Sequence, residues 1–251
     1  MRDLIDECGE DLSSLGYKCK EKGDFDLCFC SMEIRTKQDE ERTGFEKGEY
    51  YILNCKRLPF GEEACLEFVS KEVGKVLSNL LKKSAISKKS RFLVVGLGNP
   101  QILADGLGAK VVDFVRLKNY GKENNIFKFC PNIFTNTGIN AVDVVGMLAV
   151  CLDIDCVIIV DSLATESIDR LASSIQINTA GITPGSAVNN YGKKIGHSSL
   201  GLPCISIGVP LMFFGENLKK KEILLTTKDI HQNLDDIALV IASAINSVLK
   251  V

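Results

Sequence analysis

Two spacings of apolar residues alternate along most of the chain. Between Glu62 and Lys83, the residues Cys65, Val69, Val73, Val76 and Leu80 recur every three or four positions, which predicts an amphipathic helix. The same spacing predicts helices over Gly106–Lys118, with Leu107, Val111, Phe114 and Val115 inward, and over Asp229–Leu249, with Ile230, Leu234, Ile237, Ile241, Ile245 and Val248 on one face. A further helix is expected to end near Cys151, capped at its start by Asn136 or Thr137. Between these lie short runs that read as strands, Tyr50–Cys55, Arg91–Gly96, Cys156–Val160, Ser174–Ile177 and Pro203–Val209, of which Arg91–Gly96 and Cys156–Val160 are the most continuously apolar. Such runs fit strands buried on both faces. Strands alternating with helices predict an α/β fold, a mixed, mostly parallel twisted sheet flanked by helices on both faces.

The first 48 residues follow neither spacing. They hold 13 acidic and 8 basic residues, which leaves the rest of the chain slightly basic, and five glycines interrupt them. They are expected to form an acidic N-terminal extension, partly ordered, with a strand near Leu27–Ile34, ahead of one α/β catalytic domain over 49–251. Net charge is −2 over 251 residues, which gives no support to general nucleic-acid binding. No apolar run reaches membrane-spanning length, and the opening MRDLIDECGEDL is acidic and unlike a signal peptide. The ten cysteines include Cys151, Cys156 and Cys204 inside apolar runs, so free thiols in a reducing cytoplasm are expected. Cys28 and Cys30 form C-x-C, a weak signal for metal, and no cofactor is implied.

Chemistry concentrates where strands end, since ligands in open α/β sheets bind outside the carboxyl ends of strands. Asp161 directly follows the five apolar residues Cys156–Val160, and Asp105 follows the glycine-rich turn after Arg91–Gly96. A carboxylate there is costly unless paired or useful. Each could instead cap a neighbouring turn or helix. If the two face each other, they cannot both ionise cheaply, which makes one a general acid and the other a general base. The Gly96–Pro100 turn is not a dinucleotide fingerprint, because Gln101 stands at the third glycine position. With only His197 and His231 in the chain, Ser–His, Cys–His and zinc chemistry have little to work with. His197 lies in a polar loop. The long small-residue segment Thr179–Asn190 could line a substrate groove, with Lys193 and Lys194 beyond it.

Four segments, VVGLGNPQILADGLGAKVVDFV, NTGINAVDVV, VIIVDSLATESIDRLASSIQINTAGITPGSAVNN and LGLPCISIGVP, resemble the germination protease family of spore-forming bacteria in content and order. That resemblance implies a fold like hydrogenase-maturation endopeptidases. It implies a metal-free, aspartate-dependent endopeptidase, made as a zymogen and assembled as a homo-tetramer in the cytoplasm of the spore. Its substrates would be small acid-soluble spore proteins, with no direct contact to nucleic acid or membrane. The family's two aspartates fall on Asp105 and Asp161. Asn99, Thr137, Gly138, Gly181, Gly185, Ser186, Asn189 and His197 are the accompanying substrate-binding candidates. Departures include Lys37 where the family's N-terminal motif is acidic and Asn178-Thr179-Ala180 where Ser-Asp-Thr is usual. They leave open a degenerate homologue that binds without cleaving. A metal-dependent maturation-type endopeptidase would need His197 as an added ligand.

Overall fold

A computed structural model describes residues 3–8, 12–23, 25–87, 89–117, 124–131, 137–185, 192–214 and 225–250. Eight strands form one sheet: β1 (Lys18–Lys22), β2 (Leu27–Ile34), β3 (Gly48–Cys55), β4 (Phe92–Gly96), β5 (Ile126–Phe129), β6 (Cys156–Thr165), β7 (Ser174–Asn178) and β8 (Cys204–Phe213). Their order across the sheet is β1-β2-β3-β7-β8-β6-β4-β5. Among the described residues the helices are α1 (Lys37–Thr43), α2 (Glu63–Lys83), α3 (Leu107–Phe114), α4 (Ala141–Cys151), α5 (His197–Leu200) and α6 (Ile230–Leu249).

The mixed sheet between helices is as the apolar spacing predicts, but parallel pairing is confined to β8, β6, β4 and β5, and the other four pairings are antiparallel. The reason lies in the connections. Helix α3 supplies the β4–β5 crossover that parallel neighbours need, while β1 and β2 follow one another through a short link that allows only antiparallel pairing, and β2 returns to β3 through α1. The expected strand near Leu27–Ile34 is β2, and with β1 it extends the same sheet beyond β3.

Alternate positions of the strands face different layers. Val94, Ile158, Val160, Ile205 and Ile207 pack on one side against α2, α3 and α6. Leu93, Val95, Val157 and Ile159 pack on the other against Val142, Val145 and Ala149 of α4. Burying an Ile, Leu or Val side chain contributes about 1.5–3 kcal/mol, so these two layers dominate the folding energy. A third, smaller core on the α4 side of the antiparallel half joins Ile5, Leu15, Cys30, Met32, Ile34, Tyr50 and Ile52.

Several boundaries differ from the spacing-based expectation, among them the end of α3 at Phe114 and the end of β8 at Phe213. Helix α4 begins after Asn140, not Asn136 or Thr137; the Thr137 hydroxyl instead accepts from the Ile139 amide. Strand β6 does not end at Val160 but runs through Asp161 to Thr165, because β8 continues beside it past a bulge at Leu163/Ala164. His197 begins the short helix α5 instead of lying in a plain loop. The thiols are not all free: Cys19 and Cys30 stand opposite each other on β1 and β2, which brings their sulfurs together as a disulfide. Among the described residues, no helix is long and apolar enough to cross a membrane.

Candidate functional site

Asp105 is held by backbone packing too tight for side chains. Strand β4 passes into Leu97, whose amide continues the ladder by donating to the Val160 carbonyl at 2.8 Å. The chain then turns at Gly98, with φ of +94°, where a Cβ would stand 2.0 Å from the Asp105 carbonyl oxygen. Only glycine tolerates both conditions. A short 3-10 turn, Leu103–Asp105, follows and leads into α3. The Asn99 amide donates to Asp105 Oδ2 at 2.8 Å, while Asn99 Oδ1 accepts from the Gln101 amide. Asn99, a substrate-binding candidate by sequence, is thus a buried strut that fixes Asp105.

Asp161 arrives by a different route. It occupies the same alternate register of β6 as Val157 and Ile159, so its carboxyl faces the α4 side of the sheet. Only 4% of its surface is exposed, and across the β6–β8 ladder it pairs with Gly208. Within the described hydrogen bonds its Oδ1 accepts from the Ser162 amide at 2.9 Å. It caps no helix.

The two carboxyls converge electrically. Burial pushes Asp161 well above the ordinary carboxylate range, and the negative charges of Asp105 and then Asp3 push it further, against the Ser162 amide. Burial also lifts Asp105, to about 6, opposed by the Asn99 amide. Both carboxyls therefore hold protons more tightly than ordinary aspartates, with the charge of Asp105 among the causes at Asp161.

The N-terminal residues lie over this place. Asp3 Oδ2 accepts from the Ala164 amide at 2.9 Å, and its carbonyl accepts from Gln176 Nε2 at 3.0 Å. The Ile5 amide donates to Gln176 Oε1 at 2.9 Å. Leu4 is fully buried in the core that contains Leu163, and Ile5 fills the small core beside Tyr50. Glu7 accepts from the Thr165 hydroxyl at 2.5 Å and from the Glu166 amide at 3.0 Å. Asp6 pairs with Arg170. A cavity of about 190 Å³ opens alongside, lined among others by Asp3, Tyr50, Leu163, Gln176, Gly181 and Gly208. Neither member of the pair is on its wall, although Gly208 is the ladder partner of Asp161.

Of the remaining candidates, Gly181 reaches this cavity, at φ of +97° and packed on the Ile195 carbonyl. Thr137 and Gly138 form an exposed turn before α4. Gly185 ends the described part of its loop at φ of +71°, and Ser186 and Asn189 lie outside the described residues. His197 bonds through Nδ1 to the Leu202 carbonyl at 3.1 Å, just before β8 begins. Gly208 is six residues beyond Leu202, roughly 20 Å along an extended chain, so His197 does not join the pair. Lys193 and Lys194 face Asp143 and Glu46. Asp3 and Gln176 are the contributors that sequence reasoning missed. Asp3 sits in an acidic run without periodicity, and nothing local marks it.

Comparison with known proteins places the chain. The sequence model described as Germination protease matches residues 5–221. A germination protease of Caldanaerobacter subterraneus subsp. tengcongensis is 30% identical over 86% of this chain and 69% of its own length. That of Priestia megaterium is 31% identical over 78% of this chain and 55% of its own, and that of Bacillus subtilis 32% over 70% and 50%. The chain therefore spans between half and about two thirds of these relatives. Among solved structures, a NiFe hydrogenase maturation protease from Thermococcus kodakarensis KOD1 aligns over 70% of this chain and 99% of its own, at TM-score 0.43 and 20% identity. With a family match that covers most of its length, including both aspartates, this chain belongs to the germination protease family.

Proposed function

We propose that this chain is an endopeptidase that cleaves small acid-soluble spore proteins during germination, with Asp105 and Asp161 as its acid–base pair. The observation that supports the reading is that the Leu103–Asp105 turn packs against β6, where the Asp161 carboxyl is buried and that of Asp105 partly so, and that both bind protons more tightly than ordinary carboxyls. Ionised Asp105 takes a proton from a water molecule as that water attacks the peptide carbonyl carbon. Protonated Asp161 gives its proton to the carbonyl oxygen or, in the second half of the reaction, to the leaving amine. The pair then holds the same total number of protons and is reset by exchange with solvent. Because like charges are coupled, the pair titrates as a unit, with one proton shared below the upper step.

Residues 3–7 bear on access. Asp3, Leu4 and Ile5 fill the space beside Asp161 through the Ala164 and Gln176 bonds, which supports a zymogen whose N-terminal segment must leave before substrate enters. The cytoplasm of the spore and a homo-tetrameric assembly belong to the same proposal by family membership.

The same coverage favours a second reading, a homologue that binds spore proteins without cleaving them. Purified chain with and without residues 1–8, incubated with a small acid-soluble spore protein and resolved on a gel, separates the two. Fragments from the trimmed protein, lost in Asp105→Asn and in Asp161→Asn with the circular dichroism unchanged, support the protease. Binding without fragments in either form supports the second reading. Full cleavage by both aspartate variants rejects the assigned pair. A maturation-type metal site using His197 has no geometric support, since that ring is bonded to Leu202, before β8 begins and well short of Gly208.

A further inference from the structure

The edge hairpin brings three cysteines together, far from the aspartates. Cys19 and Cys30 are direct partners in the β1–β2 ladder, and Cys28, two residues before Cys30, points to the same face. The three sulfurs lie within 4.8 Å of one another. Cys28 Sγ is 3.6 Å from Cys30 Sγ, and the Tyr17 hydroxyl donates to Cys30 Sγ at 3.4 Å. A structural disulfide needs two cysteines, and Cys19 and Cys30 supply one. The role of a third thiol at that distance is left over.

Tetrahedral zinc with Zn–S bonds of about 2.3 Å holds its sulfurs roughly 3.8 Å apart. The Cys28–Cys30 spacing meets that requirement without backbone movement, and Cys19 sits across the ladder on the same face. We propose that the β1–β2 hairpin carries a thiolate site for a soft divalent cation of the zinc class, made of Cys19, Cys28 and Cys30 and available only when the Cys19–Cys30 bond is reduced. The chemistry balances in two steps. A dithiol reductant delivers two electrons and two protons to the disulfide and becomes a disulfide itself. The three thiols then release three protons as the cation binds, giving a tri-thiolate complex of net charge −1. Cys30 is buried while Cys19 is exposed, so the fourth position of the cation faces solvent and takes water or an incoming ligand.

The site is independent of peptide hydrolysis. Five strand spacings separate β1 from β6, roughly 24 Å at the usual 4.8 Å each. It is also separable from the other thiols. Cys130 and Cys151 are exposed elsewhere, and Cys55 and Cys65 form a buried pair 3.5 Å apart that offers no opening to solvent.

The test titrates Co²⁺ into the full chain, reduced under anaerobic conditions and freed of reductant, and follows the sulfur-to-cobalt charge-transfer absorption. A single equivalent is expected to produce the band, and Zn²⁺ to abolish it by displacement. The disulfide form should show no band. Cys19→Ser and Cys28→Ser should each weaken binding at least tenfold, whereas the double variant Cys130→Ser/Cys151→Ser should bind as the unaltered chain. Cys19 is exposed and Cys28 half-buried, so both variants should keep the far-ultraviolet circular dichroism. Absence of the band from the reduced chain, or its persistence in both Cys19→Ser and Cys28→Ser, would overturn the proposal.

Discussion

The two halves of the sheet spend their side chains differently. In the parallel half, all ten residues of β6 and all five of β4 are buried, and the one carboxyl among them is Asp161. In the antiparallel half, β2 alternates buried with partly exposed positions, β1 is almost wholly exposed, and charges such as Glu33 and Arg35 meet in solvent. A carboxylate costs little on the second kind of surface. On the first it is expensive, because desolvation opposes its charged form. The difference teaches where to look for chemistry in such a fold. A charge on an amphipathic strand is unremarkable, whereas a carboxyl on a strand buried on both faces is driven to keep its proton, and the negative charge of Asp105 pushes Asp161 the same way.

Substitutions should separate the halves by the size of their effects. The largest is expected for Asp161→Asn, which should reduce peptide cleavage by trimmed protein by at least ~10³-fold, about 4 kcal/mol of barrier, while raising the melting temperature at neutral pH. Loss of cleavage together with loss of stability would mean that Asp161 is structural. Next comes Gly98→Ala. Its Cβ would collide with the Asp105 carbonyl and force the backbone out of positive φ. About 1–3 kcal/mol of stability should be lost, along with most activity, read by denaturant unfolding and by the cleavage assay.

Deletion of residues 1–8, or the milder Asp3→Asn, should raise cleavage by full-length protein several-fold or more. A form of the protein unaffected by either change would leave Asp3 without a regulatory part. The pH dependence should follow the pair. Asp105 and Asp161 hold protons in the folded state that the unfolded chain releases near pH 4. The folded form therefore binds more protons, and stability should fall as pH rises from about 4 through 6. Asp105 alone contributes on the order of 2–3 kcal/mol of that fall, and Asp105→Asn should flatten the curve. Cleavage should rise over the same interval as Asp105 ionises. Glu33→Gln, in the solvent-facing half, should change neither melting temperature nor cleavage measurably.

What the sequence disclosed follows the same division. The apolar strands Arg91–Gly96 and Cys156–Val160 and the helices α2, α3 and α6 announce themselves by spacing, since burial on both faces or along one stripe leaves no freedom of pattern. The carboxyls at their ends were legible for the same reason. Strand β1, KCKEK, was not, because an exposed edge strand asks little of its side chains and its pairing with β2 is set by backbone register. Strand β5 was likewise hidden among polar neighbours. The extension of β6 through Asp161 could not be read locally, since it depends on β8 running beside it. Asp3 and the Cys19–Cys30 pairing belong to this class too: each joins residues whose proximity is a property of the folded sheet alone.

The most direct measurement is carboxyl-carbon NMR of Asp105 and Asp161, followed from acid to mildly alkaline pH in the unaltered chain and in Asp105→Asn. Asp105 should show a midpoint near 6 and Asp161 should keep its proton well beyond the ordinary carboxylate range. Removing Asp105 should bring the Asp161 midpoint down. Two independent titrations near 4, with Asp161 indifferent to the loss of Asp105, would contradict the shared-proton pair.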